Sequence, residues 1–554
     1  MKNSYTLRLT FSLLFLLATV TSWAQVDSVI VTGQIKNLSA RLYRESPTIF
    51  ISRNNILQAS RELVRPAPLA VDGTFRVSLP LIYAQEEMYF TYGRISTAFL
   101  AAPGTVTISM DADSLFTTAV PFRFAGTNAQ VNQQYARYKA FEATYPNKPD
   151  GRKITNSTEG KSDIFAYQIA FDAYQAPFLA YAKKEKPFPL VSRWLQSISR
   201  YNAAAFLYER AQFQGTDIET NLSDTLRPAD DVLLTAARAS AMNRFAIYAI
   251  QQGSTPEITR QNSGLSVRSL SELLLRYGRV TDDERSRLEG YVDNNNARAS
   301  DINFFNRLIK RSNDTIQRLV FYELLQQRTR TKFKEAATDY VTAYWLADVL
   351  PGLTLDFSTL LYDYARPRVA DPALKQSLAE LYALQVKDSA EVKQSVKTLQ
   401  QAKAATNALD LSNGIFVTRD AFTDGRALLD RVLSANRDKV IYILLTSPDS
   451  DAGRQTAIDA QRLRDTYRSR DFALVYLPNF GDDPRLWIEF STKNKLAGDH
   501  LLVTIRQLDD LLGYLRANEE ISATVINRAG KVEKRNAPLP GAFEEVKKVL
   551  VKSF

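Results

Sequence analysis

The chain of 554 residues carries 70 Lys and Arg against 60 Asp and Glu, one His and no Cys, for a formal charge of +10 at neutral pH. Its 45% hydrophobic and 11% aromatic content excludes a disordered polypeptide and suffices for about two to four cores. The absent cysteines exclude disulfide staples and thiol-disulfide exchange. Basic and acidic residues are interspersed, with no basic block or nucleic-acid motif, so no nucleic-acid partner is expected.

Lys2 and Arg8, an apolar run over 9–20 and the small-x-small triplet Ser22-Trp23-Ala24 predict a secretory signal peptide over 1–24. Its loss removes two positive charges, taking +10 to about +8 before the new amino terminus is counted. No later stretch reaches the roughly 20 continuous apolar residues of a spanning helix, so no transmembrane segment is expected after cleavage. A lipoprotein anchor would need a cysteine. The periplasm is the expected address, with secretion or peripheral membrane association as alternatives.

From 25 to 127 the signal is short alternating strands, over 29–35, 48–53, 73–81, 88–93 and 105–111, separated by the turn pairs Asp72-Gly73 and Pro103-Gly104. They predict an antiparallel β-sandwich. Gly33, Gly73 and Gly104 are expected to serve the backbone, and Tyr89, Tyr92 and Phe99 to pack in the core. The order VTGQI (31–35), Asp72-Gly73, Pro103-Gly104 and FRFAGTNAQVN (122–132) resembles the DUF4369-like amino-terminal domain of exported Bacteroidetes thioredoxin-like proteins.

From 128 to 411 apolar residues recur at three- and four-residue spacing, predicting an α-helical region. Helices are expected over 130–145, over 230–252, over 301–327 with a break near Asn313-Asp314, and over 371–410. The last opens with Asp371 as cap and Pro372 in the first turn. No repeat period emerges.

From 412 to 554 the predicted order is strand (439–448), helix (457–470), strand (471–479), helix (483–496), hairpin (521–537) and closing helix. This order resembles a thioredoxin-like domain of the exported TlpA/ResA-like family, and the whole chain then reads as a multidomain α+β protein. The family's S-P-D-C-x-x-C string falls on Ser447-Pro448-Asp449-Ser450-Asp451-Ala452-Gly453. The resemblance places Ser450 at the attacking cysteine, Gly453 at the resolving cysteine, and Ala523 where the family has a cis-proline.

A serine hydroxyl cannot form a mixed disulfide, so the family site is degenerate. Ser450 with the single His500 and Asp499 or Asp451 is the sharpest alternative constellation, but no GxSxG elbow surrounds Ser450, Asp499-His500 is expected in a loop, and a helix cap is the simpler role. Asp449, Ser450 and Asp451 lack calcium-loop spacing. Trp487 is expected to pack, and Lys531, Lys534, Arg535, Lys547, Lys548 and Lys552 to be solvated. No catalytic residue, metal site or cofactor is expected. The resemblance and the missing thiols imply a non-catalytic envelope protein that binds or scaffolds, with envelope proteins or peptides as partners. The alternatives are an oxidoreductase by ancestry only, and a hydrolase with a site in the helical region.

Overall fold

The computed structural model describes residues 27–554 apart from 94, 116, 220–221, 223–232, 262–263, 295–297, 404, 412–413, 468, 480–482 and 518–519, so the signal peptide expected over 1–24 lies outside the described residues. The fold is a mixed α/β assembly in two compact units, Met1–Tyr382 and Ala383–Phe554. No helix among the described residues is long and apolar enough to cross a membrane.

The first unit opens with strands β1 (Ser28–Lys36), β2 (Thr48–Asn55), β3 (Gln58–Pro68), β4 (Thr74–Pro80), β5 (Gln85–Tyr92), β6 (Ile95–Ala101), β7 (Gly104–Asp111) and β8 (Arg123–Gly126). They form two sheets, ordered β4-β1-β7-β8 and β3-β2-β5-β6, with β9 (Leu233–Leu234) added to β5. Alternating side chains from both sheets, including Val31, Ile51, Phe90, Phe99 and Ile108, form one shared core. Tyr92 and Phe99 are buried as expected, whereas Tyr89 is only half-buried.

The sheets are mixed rather than purely antiparallel, because β1 runs parallel to β7, and β9 parallel to β5. The chain passes through the other sheet between β1 and β7, and a long crossover of this kind is what parallel pairing requires. Gly33 explains how closely β1 and β7 approach, since a Cβ there would sit 1.8 Å from the Ile108 carbonyl oxygen. Strand β3 went unpredicted because Pro66 and Pro68 argue against a strand. It lies at the sheet edge, paired only with β2, where a residue lacking an N–H is tolerated.

The helical part follows with long helices over Ala129–Thr144, Asp163–Lys184, Pro189–Gln214 and Ala236–Gly253. The break expected near Asn313 falls at Ser312, between helices Ile302–Arg311 and Asn313–Lys332. Helix 129–144 is tied to the sandwich by two adjacent amides. Asn132 accepts from the Leu100 N–H at 2.7 Å and donates to its carbonyl at 3.3 Å, on edge strand β6. Gln133 accepts from the Phe124 N–H and donates to the Phe122 carbonyl, at edge strand β8 of the other sheet.

A buried ionic cluster makes a second tie within this unit. Arg53 on β2, 2% exposed, reaches Glu86 on β5 at 3.2 Å and Glu380 at 2.6 Å. Asn55 adds bonds to the Ser377 carbonyl and to Glu380.

Helix Pro372–Gln401 opens as expected, with the Asp371 carboxylate accepting from the N–H groups of Ala373 and Leu374. It stops short of the predicted 410, because 405–410 form a strand instead. The second unit is built on strands β10 (Ala405–Asp410), β11 (Ile415–Asp420), β12 (Val440–Thr446), β13 (Phe472–Pro478), β14 (Gly498–Leu501), β15 (Ser522–Ile526) and β16 (Val532–Lys534). They form one sheet ordered β10-β11-β14-β13-β12-β15-β16. β11, β14, β13 and β12 are mutually parallel, while β15 runs antiparallel to β12 and β16 antiparallel to β15. Separate cores cover the two faces of the sheet, one holding Tyr442 and Trp487, the other Ile443 and Leu511. Every residue of β12 and β13 is buried, which accounts for their unbroken apolar runs.

Candidate functional site

Ser450 and Gly453 lie at the start of the helix that follows β12, and Ala523 pairs with that strand near its carboxyl end. That strand runs into helix Asp451–Thr466, and Ser450 is its N-cap, its hydroxyl accepting from the Gly453 N–H at 3.1 Å. Thr446 donates to the Gly453 carbonyl at 2.7 Å, and the Ser447 hydroxyl accepts from the Asp449 N–H at 3.2 Å. Gly453 lies against backbone: a Cβ there would sit 2.3 Å from the Ser447 carbonyl oxygen and 2.9 Å from its nitrogen. Ala523, 2% exposed, pairs with Leu444, next to the pairing of Ser522 with Leu445. No described peptide bond is cis. The junction therefore presents a capped helix end with no nucleophile poised in it.

The alternative constellation around Ser450 is not assembled. His500 is not in a loop but on β14, fully buried and stacked on Tyr476. The Trp487 indole N–H donates to its Nδ1 at 2.9 Å, so Nε2 carries the proton and donates to the Leu496 carbonyl at 2.8 Å. Both ring nitrogens are occupied, leaving none to act as a base. Asp499 accepts from Asn436 at 2.8 Å instead of orienting the imidazole. Asp451 is almost wholly exposed and pairs with Arg454.

Burial lowers the His500 pKa from 6.5 to about 4, opposed by its hydrogen bond to Leu496. A depressed value means that the unfolded state takes the proton first. The second unit therefore keeps this contribution above about pH 6.5 and loses it as pH falls toward about 4, by roughly 3 kcal/mol at the acid end. With one histidine in the chain, its Cε1 ring proton gives a single, unambiguous NMR resonance. That resonance is expected to stay at its neutral position between about pH 8 and about pH 5, and a midpoint near the ordinary value would contradict the buried assignment.

The first unit holds a different kind of site, which sequence reasoning missed. A groove of about 710 Å³ lies between strands β5 and β6 and helices 129–144, 163–184, 189–214 and 236–253. Tyr89, Tyr135, Tyr138 and Tyr174 line it, with Glu87, Glu142, Lys139 and Asn202. Glu87 is held by the Tyr89 hydroxyl, the Trp194 indole N–H at 2.7 Å and the Ala236 N–H. Burial raises its pKa and those three donors pull it back. Glu142 accepts from the Tyr138 hydroxyl at 2.8 Å and pairs with Lys139. Tyr135 stacks on Trp194 with centroids 3.7 Å apart. The lining comes from six elements, and local spacing alone marks the tyrosines as core, so no local motif could have gathered them.

No family model and no curated protein matches the chain. Among solved structures a weak neighbour is a protein from Bacteroides vulgatus assigned as a thiol-disulfide oxidoreductase, studied in solution. It is 21% identical over 21% of this chain and 75% of that one, with a TM-score of 0.19.

Proposed function

We propose that this chain is an exported, non-catalytic binding protein of the cell envelope. Its second unit is a thioredoxin-like module that has lost its dithiol, and its sandwich is DUF4369-like. The observation that carries this reading is the fate of the helix start after β12. The hydroxyl at the attacking position, Ser450, is spent as a cap, the resolving position is a glycine wedged against backbone, and the chain contains no cysteine. A dithiol couple needs two thiols and an acidic leaving group, and the junction supplies neither. The strand order β13-β12-β15-β16, parallel in its first pair and antiparallel afterwards, supports the thioredoxin-like reading. In this proposal the module works in the periplasm and recognises other envelope proteins or peptides at the exposed rim of the old redox site.

A photocrosslinking amino acid at Asp451, beside Ser450 and almost wholly exposed, tests it in intact cells. The comparison position is Lys547, exposed on helix Phe543–Ser553 of the same unit. A discrete adduct from Asp451 and none from Lys547 is the expected result. Equal labelling from both positions, or no adduct from either, would sink the idea that this rim is a recognition surface.

A further inference from the structure

The groove of the first unit has the composition of a ligand site, and its hydrogen-bond bookkeeping indicates which ligand. Its volume, about 710 Å³, falls within the range of about 300–1,000 Å³ usual for small-molecule pockets. Its charges are already answered. Glu142 is occupied by Tyr138 and Lys139, and Glu87 by three donors, so neither carboxylate waits for a cation and the lysine does not wait for an anion.

What remains is neutral. The side chains of Asn202 and Tyr174 make no hydrogen bond among the described residues, nor does the Tyr135 hydroxyl, and all three line the groove. An amide offers paired donors and an acceptor, and each phenol offers one donor and acceptor capacity. A purely apolar ligand would strand these groups at a cost of about 1–3 kcal/mol each. Tyrosine rings beside unpaired neutral donors and acceptors suit a ligand that alternates C–H faces with hydroxyl groups.

We propose that this groove binds a short, neutral oligosaccharide, with Asn202, Tyr135 and Tyr174 bonding sugar hydroxyls. The site goes beyond the reading given above, because it lies wholly in the first unit and needs nothing from the Ser450 junction.

The test presents the full-length mature protein with an array of short neutral oligosaccharides alongside matched amino-sugar and uronic-acid oligomers. Calorimetry then follows on the strongest neutral binder with the variants Asn202→Ala and Tyr174→Phe. Neutral glycans are expected to bind, and each variant to weaken binding by about tenfold, the value of one lost hydrogen bond. Thermal unfolding of both variants should match the parent, since Asn202 has no side-chain hydrogen bond to lose among the described residues and Tyr174→Phe keeps the ring. Absence of any neutral binder, preference for the charged oligomers, or unchanged affinity in both variants would each overturn the assignment. Adducts at the Asp451 position are unaffected by any of these outcomes, so the two readings fail separately.

Discussion

Replacing Arg53 with methionine is expected to destabilise the first unit by roughly 3–5 kcal/mol at neutral pH, the usual cost of leaving buried charge without its partner. The arginine is 2% exposed and stands between Glu86, itself fully buried, and Glu380. Its contact with Glu86 lacks hydrogen-bond alignment, so it acts there as a charge rather than as a donor. Burial raises the pKa of both carboxylates, and Arg53 is the first influence holding them down. Without it both rise further. A carboxyl group with a raised native pKa contributes its stability below the unfolded value, 4.5, and loses it as pH climbs through the native one. The deficit of Arg53→Met should therefore shrink on acidification, because the orphaned groups take up protons. Urea unfolding at about pH 7.5 and about pH 5 reads this directly. A deficit independent of pH would mean that Arg53 contributes by packing rather than by charge.

Gly453→Ala is expected to destabilise the second unit by about 1–3 kcal/mol or more, since the new methyl group would meet the Ser447 backbone rather than a side chain that can swing away. Ser450→Ala removes only a cap and should cost about 0.5–2 kcal/mol. Hydrogen exchange across β12, read by mass spectrometry, should show faster opening in Gly453→Ala than in Ser450→Ala. The reverse order would show that the junction can relax around a side chain. The expected order reflects how tightly the helix start packs on the Ser447 backbone, which leaves no room for a side chain at 453.

Much of the architecture was legible because burial leaves plain traces. The unbroken apolar runs of β12 and β13, the Asp371-Pro372 helix start and the break near Asn313 all fall within a few residues of their predicted places. Elements were missed where local chemistry misleads. Strand β3 carries prolines, allowed only because it lies at an edge, and strand β10 continues a sequence that reads as helix through 410. The hairpin of β10 and β11 left one signal, the Asn413-Gly414 pair, and Gly414 does adopt a positive φ of 75°. The loop expected around His500 is a strand, and nothing local announces that Trp487 and Leu496 occupy both of its nitrogens. The tyrosine groove was invisible for the same reason: its parts meet only after strands and helices separated by more than a hundred residues have packed.

The adjacent amides of Asn132 and Gln133 bear on how this chain behaves in a crowd. An edge strand with free N–H and C=O groups is a template for any extended segment that drifts past, including the same strand of a neighbouring copy. Here the backbone of Leu100 on one sheet and of Phe122 and Phe124 on the other is already answered by side chains from one helix. On the far side of the five-stranded sheet, Pro66 and Pro68 withhold the donors that an incoming strand would need. Without a single covalent crosslink, three of the sandwich's four sheet edges thus carry a built-in obstacle to pairing with a neighbouring copy.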